Sequence, residues 1–214
     1  MKIFLPKYPS LLKILYPERI SKVKDSNAIY LSFDDGPVPE ITPWVLDILK
    51  DYKAKASFFC IGDNIRKHPE IYNRIIIEGH IAGNHTFNHL NGWKTENKGY
   101  LENTLKAQKV ATEVNPETST LFRPPYGRIR NSQAKAIRKA GFKIVVWDVI
   151  SGDYDKEISP EKCFRNVTDT AEPGSTIVFH DSIKASKNLK AVLPKVLEYY
   201  SEKGFDFRSL KDVL

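Results

Sequence analysis

Two histidines four residues apart are the first side chains in this sequence that could bind a metal ion. In His85-Thr-Phe-Asn-His89, the i, i+4 spacing places both imidazoles on one face of a helical turn, where they could share one ion. The alternative is a pair of surface or capping histidines, since this spacing often occurs by chance. The chain has only five histidines, and these two follow a predicted strand, which favours the metal site.

Two adjacent carboxylates, Asp34 and Asp35, follow a short apolar run at residues 28–33. Neighbouring side chains at a strand end point in different directions, so the two carboxylates would serve different tasks. One could complete a set of two histidines and one carboxylate around a metal, leaving positions open for water and substrate. The other could take a proton from that water. The alternative is a simple turn, since Asp-Gly-Pro is typical of turns.

A third histidine, His180, ends the apolar run at residues 176–179. A protonated imidazole there could give a proton to a leaving amine, and its pKa would lie near the ordinary value of about 6.5 unless a carboxylate raised it. The alternative is a core histidine with satisfied hydrogen bonds. We prefer that alternative for His68, which precedes a proline at a helix start, and for His80, which begins a short strand.

Alternating strands and helices must position these side chains. Apolar, β-prone runs predict strands at residues 28–33, 55–60, 80–83, 120–122, 143–147, 176–179 and 205–207. Helical spacing of apolar residues predicts helices at residues 41–49, 71–77, 100–114, 131–140, 160–171 and 188–201. This alternation is typical of a parallel sheet with right-handed crossovers. We therefore predict one α/β domain, with a barrel as one form of it.

Ionisable residues follow five of these predicted strands. The carboxyl ends of parallel strands meet at one edge, where α/β proteins build their sites. The residues at these ends are Asp34, Asp35, His85, His89, Arg123, Tyr126, Asp148, Asp153, His180 and Asp181. This convergence is the strongest functional signal in the chain. The sequence has neither GxGxxG nor GxxxxGK[ST], which counts against a nucleotide-binding α/β protein.

Length, composition and charge exclude several classes of protein. The chain has 214 residues, of which 41% are hydrophobic and 28% charged, so a disordered or fibrous protein is excluded. The formal net charge of +7 suits nucleic acid, an anionic polymer such as cell wall, or a membrane surface, but it also suits a solvated lysine-rich surface. We favour the solvated surface because the lysines are scattered, and we expect no nucleic-acid partner.

The cysteines and the N-terminal residues add little functional signal. Cys60 and Cys163 lie far apart without a CxxC pattern, so two isolated thiols are expected. Residues 1–27 form an entry segment whose prolines disfavour a long helix, and residues 28–214 form the single domain. We find no secretory signal and no apolar stretch of about 20 residues, so we expect a cytoplasmic protein, with the cell envelope as the alternative.

Five short motifs occupy the predicted strand ends. They are Ser32-Phe-Asp-Asp-Gly-Pro37, His85-Thr-Phe-Asn-His89, Arg123-Pro-Pro-Tyr-Gly127, Ile150-Ser-Gly-Asp-Tyr154 and Val178-Phe-His180. Each motif alone is weak, but all five together, in this order, make the sequence resemble the polysaccharide deacetylase family, the NodB-homology carbohydrate esterases of family 4. The resemblance runs from about residue 28 to the C-terminus. It implies a distorted (β/α) barrel of about seven parallel strands.

The resemblance also implies a reaction, the metal-dependent removal of N-acetyl groups from a carbohydrate such as the N-acetylglucosamine units of peptidoglycan or a chitin-like oligosaccharide. It makes Asp34 the catalytic base and His180 the catalytic acid. The implied metal ligands are Asp35, His85 and His89. The implied ion is zinc, although cobalt and nickel are also tolerated in the family.

Three further residues have roles implied by the resemblance. Arg123 would orient Asp34, Asp153 would orient His180, and the backbone N–H of Tyr126 would stabilise the oxyanion. The fourth motif departs from the family's usual Asp-Ser-x-Asp-Trp, because Ile150 and Tyr154 replace the first Asp and the Trp. We expect this departure to affect substrate preference more than activity.

Other functions on the same fold are an O-acetyl esterase and a small-molecule amidase. A non-catalytic carbohydrate- or nucleic-acid-binding domain is a third alternative, disfavoured because base, ligands and acid occur together. The expected partner is an acetylated glycan. Nothing in the sequence indicates an oligomeric state.

Overall fold

A curled parallel sheet forms the centre of the molecule. The computed structural model describes residues 4–24 and 27–213. The strands are β1 (Ala28–Asp34), β2 (Ser57–Cys60), β3 (Ile81–Asn84), β4 (Leu121–Phe122), β5 (Lys143–Ile144), β6 (Val149–Ile150), β7 (Thr176–His180) and β8 (Asp206–Phe207). Seven of them follow the spatial order β5-β4-β3-β2-β1-β7-β6, and β8 pairs with β1. All these pairings are parallel, so the predicted α/β fold with a distorted barrel of about seven strands is confirmed.

Helices connect the strands and cover the outside of the sheet. They are α1 (Ser10–Leu15), α2 (Thr42–Asp51), α3 (Gly62–Lys67), α4 (Pro69–Ile77), α5 (Asn97–Val114), α6 (Asn131–Lys139), α7 (Pro160–Thr168) and α8 (Ser186–Glu202). All six predicted helices are present. Helices α1 and α3 were not predicted, because each has only six residues and too few turns to show a helical period.

The core lies around β1, the middle strand of the sheet. All seven residues of β1 are buried, as expected for a parallel strand that is covered on both faces. The Phe33 ring stacks on Phe58 of β2 and on Phe179 of β7, with centroid distances of 5.0 and 6.2 Å. The strand that ends in Asp34 is therefore packed against aromatic side chains of both neighbouring strands.

The predicted strand at residues 143–147 is wrong in its second half. β5 ends at Ile144, and a separate strand, β6, begins at Val149. Asp148 therefore lies before the start of β6, where its N–H donates to the Thr176 carbonyl at the start of β7. Asp148 thus sits at the opposite edge of the sheet from the strand ends, and its expected place in the site is wrong.

Residues 4–24, here called the N-terminal strap, pair with both edges of the open sheet. The Ile20 N–H donates to the Ile144 carbonyl in β5, and the Ile150 N–H in β6 donates to the Pro6 carbonyl. The buried Asp148 carboxylate binds two strap lysines, at 2.8 Å from Lys7 Nζ and 2.5 Å from Lys13 Nζ. The strap is thus part of the barrel wall.

The boundary between an entry segment (1–27) and a domain (28–214) stays a prediction. Residues 1–3, 25–26 and 214, which fall within these two segments, lie outside the described residues.

Cys60 and Cys163 are both buried free thiols, as expected. Among the helices of the described residues, none has both the length and the apolar character needed to cross a membrane.

Candidate active site

Strand register brings the two predicted proton-transfer groups together. In the β1–β7 pair, Asp34 is the Cα partner of His180. On the other side of β1, Asn84 at the end of β3 is the partner of Phe122 at the end of β4. The residues that follow them, His85 and Arg123, are therefore neighbours. The carboxyl edge of the sheet collects the predicted groups, with Asp148 as the exception described above.

Asp35, His85 and His89 form a cluster that could hold a divalent cation. Their ligand atoms all lie within 4.8 Å of one another. Asp35 Oδ1 is 3.3 Å from His89 Nε2 and 3.9 Å from His85 Nε2. This oxygen is buried and has no hydrogen-bond partner among the described residues. Because an unpartnered buried oxygen is costly, and two imidazoles with one carboxylate are a common metal set, the donors fit a cation.

The protonation state of His85 suits a side chain that coordinates a metal ion. Its Nδ1 lies 2.8 Å from the Arg123 carbonyl oxygen, so Nδ1 carries the proton that is donated, and the Nε2 lone pair faces Asp35. Burial lowers the pKa of His85 to about 4, and burial also lowers the pKa of His89. Both imidazoles are therefore neutral at physiological pH, which is the form that binds metals.

The histidine motif is a loop rather than the helical turn expected from its spacing. Thr86 and His89 have positive φ angles of 62° and 54°, so the backbone of residues 85–89 is not helical. Asn103 of α5 holds the loop, because its Oδ1 accepts the Phe87 N–H at 2.8 Å. The two imidazoles still meet, with ring centroids 5.1 Å apart, but a loop and a distant helix bring them together.

Arg123 keeps the Asp34 carboxylate ionised and oriented. Its guanidinium is fully buried, and Nη1 donates to Asp34 Oδ1 at 2.7 Å and to Ser32 Oγ at 2.8 Å. Nη2 donates to the Val146 carbonyl at 3.1 Å, which fixes the other side of the guanidinium. Burial alone would raise the pKa of Asp34, but the surrounding positive charges, with Arg123 the largest of them, and the Arg123 hydrogen bond together outweigh burial, and the pKa lies below its usual range.

Asp153 binds His180 through both carboxylate oxygens. Oδ1 lies 2.8 Å from His180 Nδ1, and Oδ2 accepts the His180 backbone N–H at 2.8 Å. Burial would lower the pKa of His180, but the charge and hydrogen bond of Asp153, together with the charges of Asp35 and Asp34, outweigh burial and raise the pKa to about 9. His180 is therefore an imidazolium at neutral pH. His80 differs, since it accepts the Ala56 N–H in the core and burial lowers its pKa to about 4.

Tyr126 lies on a tight turn next to the cluster of Asp35, His85 and His89 side chains. Its φ of 60° is left-handed, and its ring centroid is 4.5 Å from that of His89. The turn is closed by the Gly127 and Arg128 N–H groups, which donate to Pro124 and Pro125. Among the described residues, no backbone hydrogen bond engages the Tyr126 N–H, so this donor is available to a ligand.

The site and fold agree with the comparisons to known proteins. The polysaccharide deacetylase family model matches residues 21–145, more than half of the chain. The chain belongs to the polysaccharide deacetylase family. The family expected from the five motifs is thereby confirmed, and with it the expectation of a hydrolase. The fourth and fifth motifs lie beyond the residues that the family model matches.

Individual members of the polysaccharide deacetylase family extend this likeness. Two peptidoglycan-N-acetylglucosamine deacetylases of Bacillus cereus are 36% identical over 186 residues and 34% identical over 187 residues. The first alignment covers 85% of this chain and 66% of the relative, and the second covers 87% of each. A crystal structure of a peptidoglycan N-acetylglucosamine deacetylase superposes with a TM-score of 0.87 at 32% identity, covering 96% of both chains.

Asp181 is a buried carboxylate that has no role predicted from the sequence. Its Oδ1 accepts the Gly36 N–H at 3.0 Å, and its Oδ2 accepts the Thr42 hydroxyl at 2.6 Å. A Cβ on Gly36 would lie 2.0 Å from Asp181 Oδ2, so only glycine fits there. Asp181 thus fixes the turn that carries Asp34 and Asp35. Its position directly after His180 was the available sequence signal.

An open groove leads away from the metal cluster. It has a volume of about 640 Å³, and its lining includes Asp35, His89 and Tyr126. Tyr154, the aromatic residue of the unusual fourth motif, also lines it and packs edge-on against His180 at 5.0 Å. The groove is large enough for a sugar unit, and Asp35 and His89 of the candidate metal site form part of its wall.

Proposed function

We propose that this chain is a metal-dependent N-deacetylase that acts on a carbohydrate, with the N-acetylglucosamine units of peptidoglycan as the leading substrate and a chitin-like oligosaccharide as the second. The observation that carries this proposal is the pairing of an ionised Asp34 with a protonated His180 beside a three-residue metal cluster. The names of the Bacillus cereus relatives support the substrate class.

Asp35, His85 and His89 would hold the ion. When bound, a divalent ion supplies Lewis acidity for the acyl carbonyl and makes an attacking water more acidic. Zinc is the first choice, because two imidazoles, one carboxylate and an open position are typical of catalytic zinc. Cobalt and nickel suit the same donors.

Asp34 acts as the general base. Its carboxylate lies 4.0 Å from His85 Nε2 and so faces the cluster, where the attacking water must lie. Arg123 stabilises the charged form of Asp34 and fixes its orientation. The proton that Asp34 takes from the water makes that water nucleophilic towards the acyl carbon.

His180 acts as the general acid. As the C–N bond breaks, the imidazolium gives its proton to the departing nitrogen, because an amide anion is a very poor leaving group. Asp153 orients the ring through Nδ1, which leaves Nε2–H as the donor. The Tyr126 N–H stabilises the oxyanion. A strongly basic His180 supports an amide substrate over an ester, whose alkoxide needs less protonation.

The direct test measures acetate release from N-acetylglucosamine oligosaccharides and from peptidoglycan. We expect turnover that a chelator abolishes and added zinc restores, while cobalt and nickel restore it in part. Acetylxylan and small amides, assayed in parallel, test the esterase and amidase alternatives. His85→Ala is expected to release no acetate. Acetate release that persisted both with the chelator and in His85→Ala would contradict the proposal.

A non-catalytic role predicts a different result in the same assay. A binding domain would take up zinc and glycan and yet release no acetate from any substrate. Metal content and glycan binding, measured on the same preparation, therefore separate a binding protein from an inactive preparation.

A further inference from the structure

A second pocket, of about 390 Å³, lies beside Asp34 and is formed in part by the N-terminal strap. Its apolar lining residues include Phe4, Leu5, Trp147, Ile150 and Val178. Tyr126 and Tyr154 separate it from the open groove, since both line the two cavities. Ile150 stands where the family usually has an aspartate, so this wall is apolar instead of charged. Phe4 and Leu5 come from a part of the chain that the five motifs do not include.

The strap is fixed firmly enough to act as a pocket wall. The Ile150 N–H donates to the Pro6 carbonyl at 2.9 Å, and the Tyr8 N–H donates to the Asp148 carbonyl at 2.8 Å. Phe4 also packs on the fourth motif, since a Cβ on Gly152 would lie 2.9 Å from Phe4 Cζ. The position of Phe4 and Leu5 therefore follows from the pairing of the strap with β6.

The pocket is larger than an acetyl group, and its wall is mostly apolar. Apart from Asp34, its charged lining residue is Arg128, whose guanidinium lies over the Trp93 ring at 5.2 Å. Pockets of about 300 Å³ and more can bind whole small molecules, so a single methyl group leaves most of this space unfilled. An apolar space next to the base suits the hydrocarbon end of an acyl chain.

We propose that this pocket binds the acyl chain of the substrate, that Phe4 and Leu5 form the wall against which the longer acyl chains pack, and that this protein also removes N-propionyl and N-butyryl groups from amino sugars. This rests on the proposed deacetylase function. The reaction is the same hydrolysis: water oxygen bonds to the acyl carbon, the C–N bond breaks, and the nitrogen gains a proton. The products are a short-chain carboxylate and a free amine.

The test compares glucosamine oligosaccharides that carry N-acetyl, N-propionyl or N-butyryl groups, with release of primary amine as the readout for the zinc-loaded protein. For the wild type we expect KM to fall by about twofold to fourfold for each added methylene, because each is buried against an apolar wall. Leu5→Trp fills the pocket mouth and should lower the butyryl-to-acetyl ratio of kcat/KM at least tenfold. Leu5→Ala should lower it by severalfold.

Leu11 provides a matched control. It is the same residue type, lies on the same strap and is 64% exposed, as Leu5 is, but it does not line the pocket. Leu11→Trp and Leu11→Ala should leave all three rates and both ratios unchanged. Because both leucines are exposed, none of these variants should shift the melting temperature, which checks that the fold is intact.

Three outcomes would overturn the inference. A wild type that releases acetate but is a hundredfold slower on butyryl substrates contradicts the acyl pocket and leaves the deacetylase function standing. Leu5 variants that change all three substrates equally would show that the pocket binds the sugar instead. If no amide is hydrolysed while metal and glycan are bound, the proposed function fails, and this inference fails with it.

Discussion

An Asp34→Asn variant is expected to bind metal like the wild type and to lose about 10²- to 10⁴-fold in kcat on N-acetylglucosamine oligosaccharides. The amide is close in size to the carboxylate and can still accept the hydrogen bond from Arg123 Nη1. It cannot take a proton from water, so the base is lost while the Asp35, His85 and His89 cluster is left intact. Metal content and kcat, measured on the same preparation, test both halves of this expectation.

Asp35→Ala is the matched control, since it removes the neighbouring carboxylate instead. Asp35 Oδ1 has no hydrogen bond to lose among the described residues, so the expected effect is on metal binding. We expect this variant to lose both metal and turnover. Near-normal rates in Asp34→Asn would show that the base assignment is wrong. Equal metal loss in the two variants would show that the two carboxylates do not have separate roles.

An Asp153→Asn variant is expected to lose activity at alkaline pH and to keep more of it in acid. Asp153 contributes most to raising the pKa of His180 to about 9, and without its charge and hydrogen bond the opposing effect of burial should bring the pKa down to its ordinary value of about 6.5 or below. A general acid works only while it is protonated, so the enzyme loses activity as the pH rises through the pKa of His180. At pH 8 the protonated fraction, and with it kcat, should drop by about thirtyfold.

The pH profile of kcat, taken from pH 5 to pH 10 with the same metal, checks this expectation. A bound cation lowers the pKa of His180 in both proteins, so the displacement between the two alkaline limbs is the quantity to compare. Asp153→Asn should approach the wild-type rate near pH 5.5, which a variant with a collapsed site would not do. If the alkaline limb of the pH profile did not move in Asp153→Asn, His180 would not be the general acid.

The same ion pair affects stability, with a sign that follows from the raised pKa. His180 binds its proton more tightly in the folded chain than in the unfolded one. Its contribution to the free energy of unfolding is therefore fully present below about pH 6.5 and is lost as the pH rises through about 9.

Much of the site could be predicted because its residues come directly after strands. Parallel strands end at one edge, so a carboxylate at the end of β1 and a histidine at the end of β7 lie close together, and Asp34 and His180 are register partners. The order of the five motifs then indicated the family and, through it, the barrel. These signals are local in sequence, so they can be recognised without a structure.

The parts that were missed depend on distant residues. The 85–89 loop takes its shape from Asn103 on α5, and no spacing rule for two histidines contains that contact. β6 has only two residues, too few for a period, and its outer partner is the strap some 140 residues earlier. Asp148 was misplaced for the same reason.

The pairing of the strap with the sheet also decides where material attached before Phe4 will lie. A linker, a further domain or a purification tag that precedes Phe4 leaves the protein at the mouth of the pocket beside Asp34. At the other end, the Leu210 N–H donates to Ser57, the first residue of β2, on the edge of the sheet away from the catalytic groups. Recombinant enzyme for kinetic work is therefore better tagged after its last residue than before its first.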